Sequence, residues 1–190
     1  MSKSLNTQRA KIFGQLSDLY FLVFGKTLEH GRTRVGEILQ TEHPKKILEV
    51  GVGTGLTFRH YPKGSELTGI DINEPMILKA RDHSKNFPDL TFDLQVQDAT
   101  HLPHEDNTFD CVYAPSVLSV VHDAEKVFQE MIRVCKPGGL ILAICYARGE
   151  SSWDKAYSRL FSPMSERFLG FHLRLEAKFF DRFQQINEVA

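Results

Sequence analysis

The sequence predicts an α/β domain in which helices cover a doubly wound, mostly parallel sheet. Three observations support this prediction. Five short apolar runs alternate with helix-like stretches, the first run ends at three alternating glycines, and an acidic residue ends the second run. Alternating strands and helices build parallel sheets because each crossover packs back onto the sheet. With 190 residues, 42% of them hydrophobic, the chain is long enough for one such domain.

The predicted strands and helices follow one another in a regular order. In chain order the strands cover residues 46–50, 66–70, 90–96, 109–113 and 139–145. A helical stretch that opens at Thr57–His60 connects the first two strands. A second begins at Glu74 with Pro75 in its first turn, and a later one covers Asp123–Cys135. Each stretch has apolar residues three or four positions apart, as expected of crossover helices.

Helical segments are also predicted on both sides of the sheet. Before it, an apolar stripe interleaved with polar residues predicts an amphipathic helix. The stripe consists of Ile12, Phe13, Leu16, Leu19, Tyr20, Val23 and Phe24. After the fifth strand, a second apolar stripe is rich in phenylalanine and is interrupted by Pro163. We expect this C-terminal segment to be helical as well.

Composition and charge argue against several classes of protein. The chain has no run of 18 apolar residues, and its N-terminus lacks the apolar core of a signal peptide, so we expect a cytoplasmic protein. A net charge of −1 offers no general attraction to nucleic acid. Residues 1–46 nevertheless carry eight basic and four acidic side chains, which is consistent with a solvated helix face or with a surface that meets anionic lipid.

The cysteines do not form a metal-binding or disulfide pattern. They are odd in number, lack Cys-x-x-Cys spacing and lie in or beside predicted strands: Cys111, Cys135 and Cys145. We therefore expect buried thiols and no metal site.

The most specific chemical signal is a loop with three alternating glycines, Gly51, Gly53 and Gly55. Glycine lets the chain turn sharply and lets backbone N–H groups approach a ligand closely. A pyrophosphate-binding fingerprint requires another glycine at the position of Leu56, so a dinucleotide fits poorly. Asp71 ends the next apolar run, where its carboxylate can accept both hydroxyls of a ribose. The pattern predicts a ligand that has a ribose and no phosphate.

These features resemble motif I and its acidic partner in class I S-adenosylmethionine-dependent methyltransferases. The resemblance continues through Asp98–Ala99, Phe109–Tyr113 and Cys135–Gly139, and it covers roughly residues 44–146. It implies a Rossmann-like sheet and S-adenosyl-L-methionine as cofactor. Sheets of this class commonly close with an antiparallel hairpin, for which the last 44 residues leave little room, so we expect shortened C-terminal strands. The single domain, 1–190, then comprises an N-terminal helical cap (1–44), a cofactor-binding core (45–146) and a helical C-terminal segment (147–190).

The resemblance implies a role for each residue at the carboxyl edge of the sheet. Right-handed crossovers bring the ends of four strands together there, at Gly51, Asp71, Asp98 and Ala114. The glycine loop and the start of the following helix would face the methionine carboxylate. Asp71 would bind the ribose. Glu49 would face the ammonium, or alternatively bond to nearby backbone.

The adenine is expected between Ile72 and Met76, although a methionine at helical spacing is equally typical of a core. Asp98 and the amide of Ala99 would read the amino group and a ring nitrogen of the adenine. The alternative is that Asp98 only forms a turn.

No catalytic residue can be assigned from the sequence. Methyl transfer from a sulfonium is an in-line displacement that depends mainly on positioning in a dry site. An amine acceptor must first lose a proton, and four side chains could assist: Tyr20, Tyr113, His122 and Tyr146. None of them is identifiable as the base.

The end of the fourth strand bears on the methyl acceptor. It reads Tyr113-Ala114-Pro115-Ser116, which differs from the Asn/Asp-Pro-Pro-Tyr/Phe pattern of enzymes that methylate nucleobase or glutamine amines. Over roughly residues 18–146 the chain is similar to bacterial phosphatidylethanolamine N-methyltransferases, through Tyr20–Gly25, Gly31–Arg32 and the motifs above. The family usually has Asp where this chain has Phe21.

This second resemblance implies successive methylation of a phospholipid head-group amine toward phosphatidylcholine. Tyr20 would lie over the cofactor, and the N-terminal amphipathic helix would contact the membrane. We thus expect a cytoplasmic enzyme peripherally associated with the inner face of the membrane, with phospholipid and not nucleic acid as its partner. The alternatives are a C-methyltransferase of ubiquinone or menaquinone biosynthesis and a catalytically inactive cofactor-binding module.

Overall fold

The computed structural model describes residues 29–119 and 121–144, which contain a sheet of five parallel strands. The strands are β1 (Lys46–Val50), β2 (Glu66–Asp71), β3 (Thr91–Val96), β4 (Phe109–Pro115) and β5 (Cys135–Ile144). Their order across the sheet is β3-β2-β1-β4-β5. The direction of winding reverses between β1 and β4, and in such sheets the crevice outside the carboxyl ends at this point is the usual ligand site.

Three helices flank the described sheet. Residues 29–42 form α1, Glu74–Ser84 form α2 and Ala124–Val134 form α3. α2 has a proline in its first turn, and α3 begins after Asp123, whose side chain accepts a hydrogen bond from the Lys126 amide. Two 3-10 turns occupy Phe58–His60 and Val117–Ser119. In the ranges described, every helix is too short or too polar to cross a bilayer.

Each face of the sheet carries its own core, because the strands are buried on both sides. On one face, α1 and α2 cover alternate residues of the central strands, including Ile47, Cys111 and Tyr113. On the other face, α3 covers Leu48 and Val112 together with their neighbours. Cys111 and Cys135 are buried free thiols, as predicted, whereas Cys145 lies outside the described residues.

The predicted fold class is confirmed, and the strand boundaries differ by a few residues. β4 continues two residues further, through Pro115, which pairs with Ile144. β5 begins at Cys135 instead of 139, because Cys135 already pairs with Phe109 before an irregularity in the ladder. The predicted N-terminal amphipathic helix, its Tyr20, and the C-terminal segment with Tyr146 lie outside the described residues.

The predicted helix of the first crossover is wrong. Only a single 3-10 turn forms at Phe58–His60. Tyr61 then adopts extended backbone, with φ −76° and ψ 144°, because it precedes Pro62. The proline ring disfavours helical backbone at the preceding residue, so this segment does not continue as a helix despite its helical spacing.

Candidate functional site

The glycine loop follows β1 and has backbone that only glycine adopts readily. Gly51, Gly53 and Gly55 have φ values of 77°, 56° and 81°. A Cβ atom at Gly51 would lie 2.9 Å from the Val117 side chain, and one at Gly55 would lie 2.2 Å from the Phe58 ring. The glycines therefore serve two purposes: they turn the chain and they admit side chains from two other segments.

Asp71 ends β2 and connects the strand to the glycine loop. Its Oδ2 accepts a hydrogen bond from the Gly53 amide at 3.0 Å, and its Oδ1 accepts one from the Asn73 amide at 2.9 Å. Burial raises the pKa of Asp71 above its ordinary value, although both amide bonds lower it. Each oxygen of the carboxylate still has a lone pair for a further donor, as two ribose hydroxyls would require.

Backbone donors of the loop remain available to an anion. The amides of Thr54 and Leu56 make no hydrogen bond within the described part of the chain. The Thr54 carbonyl is 3.2 Å from Nδ1 of His83, near the end of α2. The His83 ring in turn stacks on Phe58 with centroids 5.7 Å apart. Contacts of the Thr54 carbonyl and of the glycines thus fix the loop, while the Thr54 and Leu56 amides have no partner among the described residues and are available to a carboxylate.

Glu49 is wholly buried one residue before the end of β1. Its carboxylate accepts hydrogen bonds from the Thr57 hydroxyl and, at 2.7 Å, from the Tyr61 hydroxyl. Burial raises the pKa of Glu49 to about 7, against the lowering effects of Thr57, Tyr61 and Arg32. The predicted alternative of bonds to nearby backbone is not what forms, since both partners are side chains of the first crossover. Neither oxygen has used all its lone pairs.

The expected adenine side is only partly open. Ile72 is 70% exposed directly after β2, whereas Met76 is 7% exposed, the burial expected of a core methionine. Oδ1 of Asp98 accepts bonds from the Thr100 amide and hydroxyl, which makes it a turn-forming aspartate. Its Oδ2 makes no bond within the described ranges and stays available to an amino group. Ala99 is half-buried beside it.

The remaining candidate residues, at the end of β4 and just after it, differ in how far they are exposed. Ala114 is fully buried, so only its backbone can face a ligand. Burial raises the pKa of Tyr113 far above its ordinary value, and such a phenol stays neutral. His122 is exposed on the surface before α3. Ser116 has φ 63° and is buried, and its hydroxyl has no partner among the described residues.

Several residues of the site were not predicted from the sequence. Arg133 of α3 donates hydrogen bonds to the carbonyls of Leu102 and His104, at 2.9 and 2.8 Å, and to Glu130 and Asp106. It thereby holds the loop that follows Asp98. Its spacing of three from Glu130 was the available signal. The sequence contains no comparable signal for the residues around Glu49, because Thr57, Tyr61 and Arg32 are not at a regular spacing from it.

Taken together, the donors and acceptors fit a nucleoside joined to an amino acid. Asp71 suits ribose hydroxyls, Ile72 offers an apolar surface to a base, and the free loop amides suit a carboxylate. Within the described ranges, no group of three His, Cys, Asp or Glu side chains could hold a metal ion.

Comparison with known proteins identifies the family. The family model described as a methyltransferase domain matches residues 48–143. The chain is 35% identical over 159 residues to a phosphatidylethanolamine N-methyltransferase of Cereibacter sphaeroides, covering 81% of this chain and 75% of that protein. It is 40% identical over 98 residues to a ubiquinone/menaquinone biosynthesis C-methyltransferase of Desulfotalea psychrophila, covering 50% of this chain and 38% of that one.

Solved structures show the same fold. The YcgJ protein of Bacillus subtilis superposes with a TM-score of 0.63 at 21% identity, over 85% of this chain and 69% of that one. A phosphoethanolamine N-methyltransferase of Haemonchus contortus, solved with S-adenosyl-L-methionine, gives 0.53 at 23% identity, over 72% and 31%. The family match spans the glycine loop, Asp71 and the ends of β3 and β4, which together form the candidate site. The chain therefore belongs to the class I S-adenosylmethionine-dependent methyltransferases.

Proposed function

We propose that this methyltransferase acts on the head-group amine of phosphatidylethanolamine and converts it toward phosphatidylcholine. The observation that carries the proposal is the extent of similarity. The match to the phosphatidylethanolamine N-methyltransferase covers 159 residues, whereas the matches to methyltransferases of quinone biosynthesis cover between 84 and 117, close to the length of the family core at residues 48–143. Similarity beyond the core includes flanking segments, which in an enzyme of this architecture are available to contact the acceptor.

Each of the proposed site residues would bind a different part of the cofactor. The loop amides of Thr54 and Leu56 would bind its carboxylate, Glu49 its ammonium and Asp71 its ribose. Ile72, with Asp98 and the Ala99 amide, would hold the adenine. When bound, S-adenosyl-L-methionine supplies an electrophilic methyl group on a sulfonium. The protein's contribution is to keep sulfur, methyl and acceptor nitrogen collinear and to exclude water.

An amine acceptor must be deprotonated before attack. Tyr113 is unsuitable as the base because its phenol is buried and its pKa is raised. His122 is exposed, and Tyr20 and Tyr146 lie outside the described residues. We propose that Tyr20 covers the cofactor, as the family resemblance implies.

Membrane association is the second part of the proposal. The predicted apolar stripe of residues 12–24 is preceded by Arg9 and Lys11, and a basic amphipathic helix of this kind would bind anionic lipid. Replacing both basic residues with glutamine should weaken binding to vesicles that contain anionic lipid. The same variant should bind neutral vesicles as the wild type does. Unchanged binding to anionic vesicles would remove this helix from the proposal.

The reaction is tested by incubating the protein with methyl-labelled S-adenosylmethionine and vesicles of phosphatidylethanolamine and an anionic lipid. Vesicles of phosphatidylcholine and the same anionic lipid provide the control. We expect label in mono-, di- or trimethylated head groups in the first case alone. Cofactor binding is measured in the same preparation, so that an absence of label in the lipid cannot be attributed to protein that has lost cofactor binding.

A quinone precursor is the second candidate acceptor, because the 40% identical relative is a C-methyltransferase of that pathway. Label in an added demethylated quinone, with none in phospholipid, would favour it. Cofactor binding without label in any lipid extract would favour a binding module without catalysis.

A further inference from the structure

α1 carries a buried arginine on the side that faces the sheet. Arg32 is 6% exposed and lies on the same side of the helix as Val35 and Leu39, which are 8% and 1% exposed. Its Nη1 atom is 3.4 Å from the Glu29 carboxylate. Removing a guanidinium from water is costly, and the cost is offset only where anionic or polar groups lie near the buried charge.

The same face of the sheet holds Glu49. The buried carboxylate is hydrogen-bonded by the Thr57 and Tyr61 hydroxyls, which are neutral and leave its charge uncompensated. Tyr113, its register partner on β4, is a neutral phenol whose hydroxyl has no partner among the described residues. Neither these hydroxyls nor the phenol can balance the charge of an ionised Glu49.

Two charged groups act on this carboxylate from neighbouring elements. Arg32 of α1 lowers the pKa of Glu49, and Asp71 at the end of β2 raises it. The cation thus opposes both burial and the second carboxylate of the site. Without Arg32, Glu49 would be a protonated acid over a wider range of pH.

We infer that Arg32 is a positioning residue of the cofactor site, which acts through Glu49 by keeping its carboxylate ionised for the cofactor's ammonium group. The inference rests on the cofactor and is independent of the proposed phospholipid acceptor. Cofactor binding is then linked to a proton. At a pH where free Glu49 is protonated, the carboxyl group releases one proton to solvent as the ammonium docks against the carboxylate. Affinity should rise with pH until Glu49 is ionised in the free protein, and then level off.

The test compares two ligands across pH 5.5 to 8 by isothermal titration calorimetry. S-adenosylhomocysteine has the ammonium, whereas 5′-methylthioadenosine has the same nucleoside and thioether without the amino acid. For the wild type, affinity for S-adenosylhomocysteine should fall by up to roughly tenfold per pH unit below the midpoint. Affinity for 5′-methylthioadenosine should stay level over the same range.

Variants test whether Glu49 releases the proton and whether Arg32 supplies the counter-charge. Glu49→Gln should lower affinity for S-adenosylhomocysteine and abolish its pH dependence. Arg32→Gln should move the midpoint upward by about one pH unit, while Arg32→Lys, which keeps a charge, should stay near the wild type. A structural role alone would weaken both ligands at every pH without moving the midpoint. Arg32→Met makes the same charge change if Arg32→Gln does not fold.

Three results would overturn the inference. The first is an unchanged midpoint in folded Arg32→Gln or Arg32→Met, and the second is a pH dependence that survives Glu49→Gln. The third result comes from the wild type, titrated at pH 6 in buffers of different ionisation enthalpy. Binding of S-adenosylhomocysteine should release a proton, and the absence of proton release would contradict the linkage. No lipid is present in these titrations, so a failure to methylate phospholipid leaves their outcome unaffected.

Discussion

Gly55→Ala should destabilise the protein by about 2–5 kcal/mol through two separable effects. The first is backbone strain: Gly55 has φ 81°, and an L-residue there costs about 1–2 kcal/mol. The second is steric, since the new Cβ would lie 2.2 Å from Cε2 and 2.5 Å from Cζ of Phe58. Carbon atoms prefer about 3.5–4 Å, so the ring must move by more than 1 Å.

Phe58 has little room for such a move. It is fully buried, and its ring centroid lies 4.7 Å from that of Phe92 and 5.9 Å from that of Phe87. Overpacking of a filled core typically costs about 1–3 kcal/mol, which supplies the rest of the expected loss.

Gly64→Ala is the matched control. Gly64 has φ 80°, nearly that of Gly55, and a Cβ there would meet nothing within 4 Å. It should therefore show only the backbone strain of about 1–2 kcal/mol. The difference between the two variants, about 1–3 kcal/mol, measures the contact with Phe58. Urea unfolding followed by far-ultraviolet circular dichroism gives both free energies, and m-values check that the unfolding transition is unchanged.

Equal destabilisation of the two variants would refute the reasoning, because it would mean that the Phe58 ring does not fill the space beside Gly55. A double-mutant cycle adds a second check. Phe58→Leu shortens the side chain at the point of overlap, so it should cost less in the Gly55→Ala background than in the wild type. Strict additivity would show that the two positions are not in contact.

Three further predictions concern charged side chains. Asp71→Asn leaves one acceptor oxygen for the Gly53 and Asn73 amides and the ribose, so calorimetry should show at least roughly tenfold weaker binding of S-adenosylhomocysteine. Wild-type affinity would contradict the ribose assignment. Arg133 lowers the pKa of Glu130 to about 2 from 4.5, so its stabilisation is complete above 4.5 and is lost as pH falls toward 2. Glu130→Gln should cost about 1–2 kcal/mol at pH 7, since partial exposure reduces the effect, and urea unfolding at pH 3.5 should show a smaller gap; a constant gap would count against the ion pair. Asp123→Ala removes the N-cap bond to the Lys126 amide and should lower the free energy of unfolding by about 1 kcal/mol, with Asp123→Asn as the control that keeps the cap.

The sheet and the glycine loop were predictable because their signals are local. A short apolar run that ends at Gly51 specifies a strand and its turn, and Asp71 at the end of the next run specifies where a carboxylate appears on the same edge. The parallel arrangement then follows from the alternation of strands and helices alone. These parts of the site need no knowledge of distant contacts.

Other features depend on contacts that sequence spacing does not encode. Thr57–His60 has helical spacing, yet Pro62 stops the helix after one 3-10 turn. Arg32 occupies an apolar helix face, and a role for its charge can be inferred only once Glu49 is known to be buried on the sheet face that α1 covers. Met76 and Ile72 are close in sequence but differ in exposure, because one lies inside α2 and the other just before it.

The central position of β1 has a consequence for how the chain folds. Leu48 pairs with Thr68 of β2, 20 residues away, and with Val112 of β4, 64 residues away. Closing the longer loop costs about 1 kcal/mol more in chain entropy, so β1–β3 can assemble before β4 joins them. Yet Val117, which packs against Gly51, belongs to the later part. We therefore expect the nucleoside site to be completed late in folding, and a ligand that binds there to stabilise only chains in which β4 has already paired with β1.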